Sequence, residues 1–184
     1  MNCTVPSDAL LDTAVEREAW MLGADTATEL LERRGTSDPT TLTARLNIRV
    51  ETEDWDGTGT LVMLGSYDGD VISLYREQIR ALAERHDIPT AHLTAGVLAH
   101  ELGHAVVPDD KLASIHPGSW RRRIGDLFGI SSHAKPIAEA AANGFAFAVL
   151  RSEYPETPLV ERPRVLTNPG MTAVDSASSP ESHH

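Results

Sequence analysis

Apolar positions recur at roughly helical spacing through residues 8–34, at Leu11, Val15, Leu22, Leu30 and Leu31. That period predicts a helix, with Ser7 or Asp8 as its cap. Gly35 and "TSDP" follow as stop signals. The period then shortens to two. In "LNIRVETE" (46–53), Leu46, Ile48 and Val50 alternate with polar residues, which predicts a half-buried strand. "TLVMLGS" (60–66) and "VISLY" (71–75) read as two more strands. The Asp-Gly pairs in "WDGTG" and "YDGD" read as hairpin turns, so a small three-stranded meander is expected.

The helical period returns in "REQIRALAERHD" (76–87) and in the run from Thr90 to Val107, which Pro108 stops. It appears again in "PIAEAAANGFAFAVLRS" (136–152). Residues 108–134 carry no sustained period, although "WRRRIGDLFG" is a candidate short helix. Beyond Pro155 the chain is rich in Pro, Ser and Thr, and a disordered tail is expected from about Thr167. The pattern describes one α+β domain over 1–154 and a C-terminal extension over 155–184.

Composition narrows the function. Lys and Arg total 16 against 27 Asp and Glu, a formal net charge of -11. This argues against nucleic-acid binding, which rests on neutralising phosphates. Aromatics are only 5%, so the core must come mainly from Leu, Val, Ile and Ala. The one cysteine, Cys3, excludes an internal disulfide and a Cys-rich zinc finger. No apolar run approaches membrane-spanning length, and the first residues lack a signal-peptide pattern. A soluble cytoplasmic protein is expected.

The chemistry concentrates in "AGVLAHELGHAVV" (95–107), where His100-Glu101-Leu102-Gly103-His104 forms H-E-x-x-H. On a helix, positions i and i+4 lie one turn apart on one face, so the two imidazoles can share a metal ion. A carboxylate one residue after the first histidine sits beside the open coordination position. There Glu101 can take a proton from water and pass it to a leaving amine. Zinc is the default ion for such a site. The surrounding helix is apolar nearly all round and should be buried, where two imidazoles need partners.

A catalytic zinc needs a third protein ligand. Asp110 lies six residues after His104, the spacing of H-E-x-x-H-x-x-G-x-x-H, but Val107 stands where that pattern has glycine. Glu139, 35 residues after His104, is the better candidate. It shares a helical face with Ala142, Asn143, Ala146 and Leu150, and the small residues permit close packing against the histidine helix. Asn143, one turn on, can hydrogen-bond the free ring nitrogen of a ligand histidine.

Together these helices resemble the gluzincins, zincins whose third ligand is a glutamate on a later helix. The block E-x-x-A-N-x-F-A, at Glu139, Ala142, Asn143, Phe145 and Ala146, is similar to the E-x-E-A-N-x-F-A that follows H-E-[L/I]-G-H in the ImmA/IrrE family of small cytoplasmic metallopeptidases. The layout from about residue 70 also resembles minimal single-domain gluzincins. The likeness implies a zincin-like α+β fold: an N-terminal helix, a small twisted three-stranded sheet, the active-site helix and the glutamate helix. It further implies one zinc ion on His100, His104 and Glu139, with Glu101 as general base. The expected activity is endopeptidase cleavage of a protein or peptide, possible targets including a repressor. Ala141 departs from the family by replacing its second glutamate, and the 108–134 linker is long.

Candidates for an oxyanion donor are His116, His133, Tyr154 and the Arg121–Arg123 run. His86 is expected to sit near a helix end, His92 to be exposed, and Cys3 to be inert. His183 and His184 end the tail and carry no role. Two other readings share the motif: a non-catalytic zinc-containing regulator and a toxin–antitoxin component. If the chain is a peptidase, an exposed sheet edge should lie beside the active-site helix to pair with substrate.

Overall fold

Thr13 opens the first helix. In the computed structural model, which describes residues 11, 13–55, 62–115 and 134–167, α1 spans Ala14–Arg34. The Thr13 hydroxyl accepts from the Glu16 N–H at 3.1 Å, and the Glu16 carboxylate accepts from the Thr13 N–H at 2.9 Å. This reciprocal box satisfies two otherwise orphaned donors. The cap is therefore Thr13 rather than Ser7 or Asp8, which lie outside the described residues. Gly35 closes the helix at φ 61°, with its N–H on the Leu31 carbonyl at 2.8 Å. A short helix that the stop signals concealed follows, α2 (Pro39–Arg45), capped by Asp38.

The sheet departs from the expected meander. β1 (Arg49–Glu53), β2 (Gly65–Asp68) and β3 (Val71–Tyr75) lie in the order β1-β3-β2. β2 and β3 form the hairpin that "YDGD" predicts, but β1 pairs with β3 in parallel, Val50 opposite Ile72. The apolar strand takes the centre: Ile72 and Leu74 are buried, whereas every residue of β1 is exposed. The half-buried strand expected at 46–53 thus splits. Leu46 and Ile48 pack on the core just before β1 begins, and Val50 faces solvent. The turn expected in "WDGTG" falls mostly outside the described residues.

α3 (Arg76–His86) ends on Asp87 in the left-handed conformation, and α4 (Thr90–Val106) carries the H-E-x-x-H block. α5 (Asp109–Ile115) corrects the irregular reading of its segment; Asp109 and Asp110 in its first turn suit the positive end of the helix dipole. "WRRRIGDLFG" lies outside the described residues. α6 (Ala134–Glu153) is the glutamate helix. The chain stays on the core past Tyr154, where an extension was expected to begin. α7 (Pro158–Glu161) and α8 (Arg164–Thr167) bury Leu159 and Val165, while the rest of the expected tail, 168–184, lies outside the described residues.

α6 is the spine of this α+β fold, with α1 and α4 both packed along it and the sheet resting on α4. Absent side chains set those distances. A Cβ at Gly23 would lie 1.9 Å from the Ala141 carbonyl oxygen, and one at Gly144 2.0 Å from that of Trp20. At Gly103 on α4, it would lie 2.9 Å from the Cα of Ala142. The backbones of α4 and α6 therefore meet within one turn of His104 and Glu139. Among the described residues no helix is long and apolar enough to cross a membrane.

Candidate metal centre

His100 and His104 stand one turn apart on α4 with their rings nearly perpendicular, centroids 4.8 Å apart. Their Nε2 atoms are 3.2 Å apart. From α6, Glu139 reaches both: Oε2 lies 3.4 Å from His100 Nε2 and Oε1 lies 3.7 Å from His104 Nε2. One donor atom from each residue falls within 4.8 Å of the others. A tetrahedral ion about 2.05 Å from each donor would set the donors about 3.3 Å apart. Two imidazole nitrogens and a carboxylate are also a donor set suited to zinc. Both the spacing and the chemistry fit.

Asn143, 8% exposed, sits one turn along α6. Its Oδ1 accepts from His100 Nδ1 at 2.9 Å. Because an amide oxygen only accepts, the proton of neutral His100 must sit on Nδ1, which leaves the Nε2 lone pair facing His104 and Glu139. Sequence spacing pointed to a bond between Asn143 and a histidine of this pair, and that bond is present.

The electrostatics follow from crowding acids and imidazoles together. Burial alone would raise the Glu139 pKa; the hydrogen bonds and charges of His100 and His104 outweigh it and hold the carboxyl well below the usual range. Burial would lower the His100 pKa, but Glu139, the Glu101 charge and the Asn143 bond raise it on balance. Glu101 moves the other way from Glu139. Its burial dominates, and with the nearby Glu139 charge it raises the pKa against the opposing pull of His100 and His104. The two carboxyl groups are thus driven apart: Glu139 holds its charge more firmly than a solvated glutamate, and Glu101 holds its charge less firmly.

These groups open into a cleft of about 940 Å³. His100, Glu101, His104, Glu139 and Asn143 form one wall, Met63–Tyr67 a second, and Leu11, Glu16 and Trp20 of the α1 end also border it. β2 is an edge strand, and among the described residues nothing pairs with its outer side. The expected sheet edge beside the H-E-x-x-H helix is present.

The other candidates fall elsewhere. Asp110 is exposed on α5 and outside the three-residue group. Tyr154 does not border the cleft; it packs on His92, ring centroids 4.6 Å apart, so His92 is half-buried rather than exposed. His86 ends α3, as expected, and its carbonyl accepts from Arg162 at 3.4 Å. His116, His133, Cys3 and Arg121–Arg123 lie outside the described residues. Sequence reasoning did not anticipate Leu11, Glu16, Trp20 or Gly65 at the cleft. For Gly65 a signal existed, since a glycine within a strand often marks close backbone approach. No family model, curated protein or solved structure matches the chain.

Proposed function

We propose that the protein is a zinc-dependent endopeptidase with a zincin-like fold, acting on a protein or peptide in the cytoplasm. The observation that carries this reading is the convergence of His100 Nε2, His104 Nε2 and Glu139 at the spacing of a tetrahedral ion's ligands, with Glu101 beside them. A bound zinc ion would supply Lewis acidity, polarising a scissile carbonyl and easing the deprotonation of water.

The chain's own residues would do the rest. Glu101 takes the proton of the attacking water on its carboxylate and returns it to the leaving nitrogen. Burial raises its pKa and makes it a stronger base than a solvated glutamate. Asn143 keeps His100 in the tautomer whose Nε2 is a ligand. Glu139 stays anionic throughout the neutral range. The free edge of β2 offers main-chain groups to an extended substrate, the recognition mode that adds a strand to a sheet. A regulatory protein such as a repressor is the target class that the ImmA/IrrE resemblance suggests.

The test uses purified protein loaded with one equivalent of zinc and an unstructured protein substrate. Glu101→Gln should retain zinc and lose about 10²-fold or more of the hydrolysis, the usual worth of a general base. A variant that cleaves as fast as the wild type removes the peptidase reading, as does a zinc-loaded wild type that cleaves nothing.

A further inference from the structure

Gly65 is the first residue of β2 and the point where the sheet touches the base. Its backbone has no positive φ, so conformational freedom does not explain a glycine there. Space does. A Cβ at Gly65 would lie 2.9 Å from Val97 Cγ1, 3.1 Å from Glu101 Cγ and 3.2 Å from Glu101 Oε1. Val97 and Glu101 are one turn apart on α4, so β2 lies flat across a ledge formed by their side chains.

The pairing pattern adds a second fact. The Leu64 carbonyl accepts from the Tyr75 N–H at 2.9 Å, so Leu64 turns its polar groups towards β3. Neighbouring residues of a strand turn theirs in opposite directions. Gly65, opposite Leu74 in the register, therefore points its N–H and C=O to the outer edge of β2. Gly65 thus turns backbone groups to a strand edge that nothing pairs among the described residues, borders the cleft, and limits the space of the Glu101 carboxylate.

We infer that Gly65 is a positioning residue: it aims the Glu101 carboxylate and holds it beside the main-chain groups with which an extended substrate pairs. The inference rests on the peptidase reading for its catalytic consequence, but not for its geometry. Of the three crowded atoms, Oε1 is the far end of a flexible side chain and yields most easily. A methyl group at position 65 should therefore turn the carboxylate aside while the fold and the metal ligands keep their places.

The experiment compares wild type with Gly65→Ala by zinc stoichiometry, crystal structure and steady-state kinetics. Gly65→Ala should bind one equivalent of zinc and show a displaced Glu101 carboxylate with His100, His104 and Glu139 unmoved. Its kcat should fall about 3- to 10-fold, because contacts of 3.1 and 3.2 Å shift the carboxylate by less than the full ångström that costs about 100-fold, with KM within about twofold. In a Glu101→Gln background the same substitution should cost nothing further. Should Gly65→Ala not fold, the pair Val97→Ala and Val97→Ala/Gly65→Ala asks the same question, because the tightest contact is gone and only Glu101 is crowded. An unmoved carboxylate with unchanged kcat overturns the inference, and so does an equal loss in the Glu101→Gln background. A wild type without peptidase activity would remove the functional reading instead, and the crystal structures would still decide whether Gly65 aims Glu101.

Discussion

Asn143→Ala separates a metal site from a pair of ordinary core histidines. The substitution deletes the Oδ1 that accepts from His100 Nδ1 at 2.9 Å, in a position only 8% exposed. The His100 side chain is itself 13% exposed, so solvent replaces the lost acceptor poorly. Two effects follow. An unsatisfied buried donor costs about 1–3 kcal/mol of stability. Without its acceptor, the ring is also free to carry its proton on Nε2, which removes the lone pair that a metal needs. Loss of such a supporting bond typically weakens metal affinity 10- to 100-fold, about 1.4–2.7 kcal/mol. Asn143→Asp is the control, since a carboxylate keeps the acceptor and strengthens the bond. Competition against a chromophoric chelator at neutral pH measures both variants. Asn143→Ala should bind zinc at least 10-fold more weakly than Asn143→Asp, which should match or exceed the wild type. Equal affinity for wild type and Asn143→Ala would refute the reasoning.

Further outcomes follow from the same geometry. In the metal-free protein the His100 pKa is raised above its ordinary 6.5, so it keeps its proton to higher pH. Apparent zinc affinity should then fall as pH drops through a value above 6.5, and a flat titration between about pH 6 and 8 would contradict this. Gly144→Ala places a methyl 2.0 Å from the Trp20 carbonyl oxygen and should cost about 3 kcal/mol in urea unfolding. Gly35→Ala meets no atom within 4 Å, and its left-handed φ of 61° should cost only about 1 kcal/mol. Asp38→Ala should cost about 1 kcal/mol at neutral pH by uncapping α2. Burial would raise the Asp38 pKa, but bonds from Thr41 and Thr40 hold it below 3.8. The stabilisation is therefore whole above pH 3.8 and lost as pH falls through the folded value, so wild type and variant should converge in acid.

The grouping of His100, His104 and Glu139 was more legible in the sequence than the architecture. H-E-x-x-H and the E-x-x-A-N face are local patterns whose spacing on a helix already determines which side chains share a face, and α4 and α6 bring them together. Strand pairing has no such local record. "LNIRVETE" alternates as a half-buried strand should, yet whether β1 joins β2 or β3 depends on which strand best fills the sheet centre. β3, with Ile72 and Leu74 buried, takes that place, while β2 and β3 both rest on α4. Thr13-x-x-Glu16 is a readable capping box that stands behind the earlier cap candidates Ser7 and Asp8, and the Asp109-Asp110 pair that opens α5 lies in a segment with no sustained period, where Asp110 invites a reading as a metal ligand. The cleft wall from α1 was not legible. Glu16 and Trp20 reach the site through the α1–α6 packing that Gly23 and Gly144 permit, a contact between segments over a hundred residues apart.

Metal analysis of the purified chain tests the central claim most directly. Wild type, Glu139→Ala and Asp110→Ala are each dialysed against a zinc buffer, and bound zinc is counted per chain. One ion in the wild type and in Asp110→Ala, with its loss in Glu139→Ala, is the predicted result. Zinc retained by Glu139→Ala, or absent from the wild type, would contradict the account.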